Sequence, residues 1–533
     1  MKLARAAALA VYTFVLLSIQ LRVVDNLTTD GVAYLRQAQY WAEWQTHLMV
    51  SAYWSPGMSW LIALFMRAGA VDLVALRLVM TLNGVVFVIG CARLLAVMQL
   101  PRALETAALI LCAVPSLIWA SSFISPDLLV AGLVYCAIAF LITALEQQDR
   151  KRAALAGLFF GLAFLAKAVA LPLGIAVTAG YIFVTWRRTA APLASLVRIG
   201  ILTVVATIAV AAPWIAAVSM KVNRLTMSTS GAINHAILSP DNNWRDRRRP
   251  HRLHPVIQTF HKPERGRITS WEDPSNAQYH YWSPFASRRN FARQLETSAD
   301  NLSWAAKYLA LFDWAYVTPV VVLLAAASVF RRGGGATMRV LQIAGIMCGA
   351  LIAAYLPVYG RDFRYYAPLF PFAVGAAAAC YLWLANREVM RRHPLAQIGL
   401  TLALAVAYVP PLVPYLEATT RAPVSEASIT ADWVARALWE TGHTGPIAGS
   451  GYLQNGGDTG LYIAYLLGQP WYGDERHPSF ARLEQLKPRL VIAPKFSPFA
   501  QALARDPRFV DLDPILLPRR NGRTLRIKVF EMR

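Results

Sequence analysis

The chain has 533 residues, 56% of them hydrophobic and 15% charged, and its mean hydropathy of +0.40 excludes a soluble protein of this size. A formal charge of +22 would in a soluble chain point to nucleic acid as a partner. Here the basic residues fall in short clusters between apolar runs, so the charge reports membrane topology and implies no nucleic acid.

Apolar windows of about 17–25 residues, the length that crosses roughly 30 Å of hydrocarbon, predict helices near 6–24, 73–98, 104–121, 127–146, 195–219, 304–330, 340–359, 366–386 and 394–415. The charged start (Lys2, Arg5) and the first apolar run have the character of a signal peptide, but SIQLRVVDN lacks the small-residue cleavage pattern, so the first helix is expected to be retained. The run 153–186 would measure about 50 Å as one helix, too long for one crossing. Divided at Lys167 and Pro172 it gives two short spans, for an expected total of eleven. All five cysteines (Cys91, Cys112, Cys136, Cys348, Cys380) fall inside apolar runs, so neither a disulfide framework nor a thiolate metal site is indicated.

With the N-terminus cytoplasmic, basic clusters such as Arg150–Lys151–Arg152, Arg187–Arg188 and Arg391–Arg392 all fall on the cytoplasmic side. The opposite face receives loop 25–72, loop 220–303, the stretch GRDFRYY and everything after about 416. That last segment alternates helix-like and strand-like patterns (ADWVARALWE, PIAGSG, LYIAYLLG, RLVIAPK, LRIKVFEM). It predicts a small extracytoplasmic α/β domain, 416–533, beside a polytopic α-helical membrane core, 1–415. No internal repeat is evident, which weighs against a transporter built from inverted repeats.

Four places carry chemistry. In TTDGVAYLRQAQYW, Asp30 precedes Tyr34, Tyr40, Trp41 and Trp44 on one helical side with Arg36 and Glu43 opposite, a pattern that predicts a helix lying in the membrane interface. Asp30 suits an N-cap equally well, and the two roles are compatible. Asp127, after Pro126 in SSFISPDLLVAGL, begins a helix on the same outer face, where the helix dipole favours an acid. Lys167 in GLAFLAKAVALP is a charge among apolar residues that either snorkels or lines a polar cavity, and such a group is a functional hypothesis by default. YGRDFRYYAPLFP supplies Arg361, Arg364, Tyr365 and Tyr366. Guanidinium forks suit phosphate oxygens, although Arg361 also has Asp362 beside it as a pairing partner. Together these groups would hold an anion beside a general base.

The order of TTDGVAYL, YWSPGMSWLIALF, ALRLVMTLNGVV, SPDLLV, GLAFLAKAVALP and RYYAPLFP, over roughly residues 1–385, resembles the C-type (GT-C) integral-membrane glycosyltransferases. Within these it resembles glycosyltransferase family 39, the group of protein mannosyltransferases and lipid A aminoarabinose transferases. The resemblance implies a sugar donor on a polyprenyl phosphate, inversion at the anomeric carbon and no cofactor or metal. It also implies an extracytoplasmic (periplasmic) active site in a multi-pass inner-membrane protein. The acceptor would be a glycolipid, a polysaccharide or a protein. Asp30 would then be the base and Asp127 would orient acceptor or base. Lys167, Arg361, Arg364 and Tyr365 would hold the donor phosphate, and Tyr34, Trp41 and Glu43 would face the acceptor or the interface. Where the family often has an acidic pair, this chain has Asp30–Gly31, which leaves Asp25 and then Glu43 as competing bases. A lipid-linked-sugar flippase and an oligosaccharide polymerase or ligase are the alternative readings.

The long loop holds NNWRDRRRPHRLHP. His251 and His254 with Glu272 and Asp273 have the composition of a metal site, but the Arg-rich, Pro-broken run fits anionic headgroups or a lipid phosphate better. Trp244, Trp271 and Trp282 are candidates to stack on sugar or anchor at the interface.

Overall fold

The computed structural model describes residues 2–241, 259–313, 315–331, 335–421, 425–450, 459–475, 478–516 and 526–533; the Arg-rich run with Trp244, His251 and His254 lies outside them. The first helices in chain order are α1 (Lys2–Arg22), α2 (Thr29–Ala42), α3 (Gly57–Arg67), α4 (Asp72–Met98), α5 (Arg102–Ser122) and α6 (Asp127–Gln147). They are followed by α7 (Arg150–Ala166), α8 (Ala170–Arg188), α9 (Leu193–Lys221) and α10 (Ser230–Ala236). After the long loop come α11 (Arg288–Ala310), α12 (Val317–Ser328), α13 (Ala336–Tyr355) and α14 (Phe370–Ala385). Among the described residues seven helices are long and apolar enough to cross a membrane, and four shorter apolar ones accompany them, so the chain is a multi-pass membrane protein.

The run 153–186 does break at Lys167, whose backbone is extended between α7 and α8. The span expected at 304–330 is instead two helices, because buried Asp313 accepts hydrogen bonds from the backbone amides of Ala315, Val317 and Thr318 and so starts α12 afresh. The span expected at 394–415 stops at Tyr408, ahead of Pro410 and Pro411. One apolar helix in the first loop, α3, was not among the expected spans.

Glycines let the spans approach closely. A Cβ on Gly90 of α4 would strike the carbonyl of Gly132 in α6, and one on Gly157 of α7 would strike the carbonyl of Thr203 in α9, the small-residue contact that membrane helices use in place of a hydrophobic drive. Buried Arg77 of α4 donates to Gln20 Oε1 and to the carbonyls of Val24 and Asn26. It therefore fixes the linker that leads into α2.

The C-terminal segment forms a five-stranded sheet of β1 (Ile447–Ser450), β2 (Trp471–Glu475), β3 (Leu490–Pro494), β4 (Phe509–Asp511) and β5 (Ile527–Met532) in the order β2-β1-β3-β5-β4. Strand β1 runs parallel to β2 and β3, whereas β5 is antiparallel to β3 and β4. The sheet is seated on the first loop: Val32, Leu35, Met58 and Leu76 share one apolar cluster with Val434, Leu461 and Ile492. Asn26 Oδ1 accepts from the amide of Ser425 at 2.5 Å, which ties the same two regions by a hydrogen bond.

Candidate active site

Four remote stretches meet where α2 and α6 begin. Thr28, two residues ahead of Asp30, is the N-cap of α2, its Oγ1 accepting from Gly31 N at 3.0 Å. Asp30 is thus relieved of the capping role that its position suggested, and its carboxylate points elsewhere. Arg364 Nη1 donates to Asp30 Oδ2 at 2.8 Å and Trp271 Nε1 to Oδ1 at 3.1 Å. The Asp-Gly pair also has a reason: a Cβ at Gly31 would lie 2.9 Å from Thr28 Oγ1 and 3.1 Å from Ile124, so a second acid has no room.

Asp127 opens α6 behind Pro126. Its Oδ1 pairs with Lys167 Nζ, its Oδ2 accepts from Ser125 Oγ at 2.8 Å, and Arg364 Nε stands 3.8 Å from that oxygen. Arg364 Nε is also 2.9 Å from Asp362 Oδ2, while Asp362 Oδ1 caps the 3₁₀ turn that presents Arg364. Lys167 Nζ stands 4.6 Å above the ring of Tyr365, which stacks on Tyr355 at 4.8 Å and 8°. The side chains of Asp30, Asp127, Lys167 and Arg364 keep 18%, 12%, 27% and 22% of their exposure, so each is desolvated yet reachable. Against Asp127 and Arg364 opens a small recess with apolar walls that include Phe87, Trp119, Phe123 and Leu128.

An aromatic wall stands on the other side of Asp30. Trp54 lies 4.9 Å from Tyr53, 5.0 Å from Tyr34 and 5.5 Å from Trp271. Burial and then the Asp30 and Asp127 carboxylates hold the Tyr34 phenol well above its ordinary pKa, so it stays protonated. Trp271 itself was a candidate to stack on sugar or anchor at the interface; no spacing ties it to an acid 241 residues earlier.

The segment that carries Trp271 is anchored twice. Trp471 N of β2 donates to Ile268 O at 2.6 Å, so the edge strand of the C-terminal sheet holds the loop. Thr269 and Glu272 form a capping box, and fully buried Glu272 accepts from Ile268 N, Thr269 N and Tyr40 Oη at 2.5–3.0 Å, with Arg267 at 3.7 Å and Arg36 at 3.9 Å. Burial raises the pKa of Glu272 despite these cations. Asp273 accepts from Lys221 Nζ at 2.6 Å and Ser275 Oγ at 2.5 Å. Both acids considered above for a metal are therefore occupied in structure, and among the described residues no group of three His, Cys, Asp or Glu side chains is placed to hold an ion.

Several expected residues stay apart. Arg361 Nη2 pairs with Asp300 at 3.3 Å rather than with Asp362. Trp41 meets Trp60 edge-on at 5.4 Å, Glu43 accepts from Gln45 at the surface, and Asp25 is exposed. The interface-helix expectation for α2 fails, because Tyr34, Gln37 and Tyr40 are buried within protein under α3 and loop 259–277, Trp41 is half-buried, and Trp44, just past the helix, is the exposed aromatic residue of the four. Trp282 stacks on His235 at 4.4 Å and so belongs to the loop's own packing.

Residues 54–222 match the family model for dolichyl-phosphate-mannose-protein mannosyltransferases. Among solved structures, ArnT from Cupriavidus metallidurans bound to undecaprenyl phosphate is 15% identical at a TM-score of 0.51, over 98% of this chain and 98% of that one. The archaeal oligosaccharyltransferase AglB from Archaeoglobus fulgidus, in complex with an inhibitory peptide and a dolichol-phosphate, is 13% identical at 0.52, over 92% of this chain and 69% of that one. No curated protein sequence matches the chain. At these identities the likeness is one of fold: the chain is a membrane protein with the GT-C glycosyltransferase architecture, and it resembles glycosyltransferase family 39.

Proposed function

We propose that the protein is an inverting glycosyltransferase that moves a sugar from a polyprenyl-phosphate donor to an acceptor hydroxyl or phosphate on a glycolipid, polysaccharide or protein. The observation that carries this reading is the part-exposed cluster of Asp30, Asp127, Lys167 and Arg364, beside a small apolar recess. The two similar structures that hold undecaprenyl phosphate and dolichol-phosphate support a donor of that kind.

In this reading Asp30 takes the acceptor proton as the acceptor oxygen attacks the anomeric carbon from the face opposite the phosphate. The bond from that carbon to the phosphate oxygen breaks, and the lipid phosphate leaves with the electron pair. A carboxylate has about four lone-pair sites, so the bonds from Trp271 and Arg364 leave Asp30 room for the acceptor. One positioned base contributes about 10²–10⁴ in rate. Lys167 and Arg364 exchange part of their bonding from the acids to the departing phosphate, and Tyr365 backs the lysine. Arg361 stands apart from this cluster, paired with Asp300 at 3.3 Å. The site faces the extracytoplasmic side of the inner membrane with the N-terminus inside, and residues 416–533 serve as an outer domain beside the core of 1–415.

The test is transfer of labelled sugar from a panel of polyprenyl-phosphate sugars by purified protein, alongside Asp30→Asn, with total membrane lipid as acceptor. Consumption of one donor by the wild type and none by the variant is expected. A donor that is bound or moved across a vesicle without being consumed, equally by both proteins, overturns the reading in favour of a carrier.

A further inference from the structure

Helix α11 is built inside out. Its side facing the protein carries Arg293, Thr297 and Asn301, all buried, whereas Phe291, Leu295, Ala299, Leu302 and Ala306 form an exposed stripe. At 100° per residue that stripe spans about 80° of the helix and lies opposite the polar side. Phe291, Leu295 and Leu302 keep 48%, 57% and 53% of their surface exposed. Two of these polar side chains tie the helix to neighbouring segments. Asn301 Nδ2 donates to the carbonyls of Tyr355, Leu356 and Val358 at 3.1, 2.9 and 2.6 Å, closing the open end of α13. Arg293 Nε donates to Leu238 O at 3.1 Å, and Asp300 holds Arg361.

These bonds fix the level of the helix. Asn301 stands beside the end of the span Ala336–Tyr355, and Phe291 lies ten residues, about 15 Å, further along the axis. Upright, α11 would hold Phe291 and Leu295 in water beyond the bilayer. The next helix, α12, likewise exposes apolar side chains, Val320, Leu323 and Leu324. Trp304, stacked on Tyr308 and bearing Lys307 over its ring, is the aromatic and cationic pair expected where a helix meets headgroups.

We infer that the outer half of α11, residues 288–302, is seated in the bilayer, its Phe291–Leu295–Leu302 stripe buried among the lipids of the leaflet at that surface. The helix leans along the membrane, as interfacial amphipathic helices do. Its inner side holds the segment 355–361 that leads to Arg364, so the same helix sets the height of the cation cluster above the lipids.

The test uses the full chain in phospholipid nanodiscs. Cys91, Cys112, Cys136 and Cys348 are buried, so a bimane probe can be placed selectively at Leu295→Cys in a Cys380→Ser background. A probe at Phe496→Cys, on the exposed surface of the C-terminal sheet region, serves as the aqueous reference. The Leu295 probe is expected to be quenched several-fold more by nitroxide-labelled phospholipid than by iodide, with the reverse order at residue 496. Equal iodide quenching at both positions overturns the inference. So does shielding of the Leu295 probe from both quenchers, which means that protein, either segment 242–258 or a second copy, covers the stripe. A Leu302→Cys probe, closer to the span, must give the same sign.

Discussion

Two buried charge clusters meet α2, one at its start and one along its second half, and they differ in what remains unspent. Around Glu272 one carboxylate with no exposure accepts from two backbone amides and Tyr40 Oη and faces Arg36 and Arg267. Nothing reaches it, and each bond joins α2 to the loop behind it. Around Asp30 the acids and cations come from α2, the start of α6, the α7–α8 break and the 363–365 turn, and every one keeps part of its surface open. Burial and opposite charge are common to both clusters. Accessibility, and donor capacity left on Lys167 and Arg364 for an incoming anion, are what the proposed chemistry requires, and the second cluster has them where the first does not.

The largest effect expected is at Asp30. Asp30→Asn keeps the volume and removes the base, so transfer should fall by about 10²–10⁴ with an unchanged thermal melt, measured on the same preparation. A loss of fold instead would make Asp30 a structural group like Glu272. Glu272→Ala should do the opposite. It leaves Arg36 and Arg267 facing a void, at a local cost of about 3–5 kcal/mol, seen as fast hydrogen exchange at the amides of Ile268 and Thr269. Unaltered exchange there would break the distinction between the clusters. Trp271→Phe joins the two, since it keeps the ring and deletes only the donor to Asp30 Oδ1. A hydrogen bond to a charged group is worth about 1.5–3 kcal/mol, so kcat should drop by about tenfold or more with KM for the donor unchanged and loop 259–277 intact. A change confined to KM would show that the indole contacts donor instead of fixing the base.

Local signals in the sequence were read well where the physics is local. The break at Lys167 follows from a charge and a proline inside a run too long for one crossing, and Lys167 indeed ends α7 in extended backbone. The second break, at Asp313, had a signal that apolarity masked: inside LFDWAYVTP an acid stands just ahead of the N-cap Tyr316 and takes the free amides of the first turn. TSWE, Thr269 to Glu272, is likewise a capping box written in the sequence. Of the residues that meet in this cluster, Asp30, Asp127, Lys167 and Arg364 were legible because charges in or beside apolar spans are costly and therefore conspicuous. Trp271 was not, since its meeting with Asp30 depends on β2 holding a loop more than two hundred residues from the acid. The lining of α2 failed for a related reason: its aromatic side predicts an apolar neighbour but cannot say whether lipid or protein supplies it.

Glu43→Gln sets the smallest effect and sharpens the comparison from outside. Glu43 lies in the same first loop as Asp30, and its carboxylate accepts from Gln45 Nε2 at 2.6 Å on the exposed surface. No cation of the cluster faces it, and Trp41, its neighbour, turns instead to Trp60. Substitution at such a position changes stability by no more than about 0.5 kcal/mol, and transfer should stay at the wild-type rate across the whole donor panel. The base must sit where a desolvated anion and a lipid phosphate can be balanced by the same two cations, and Glu43 has neither beside it. A tenfold loss in Glu43→Gln would place the acceptor at the surface end of α2 and leave Asp30 as a strut for Arg364.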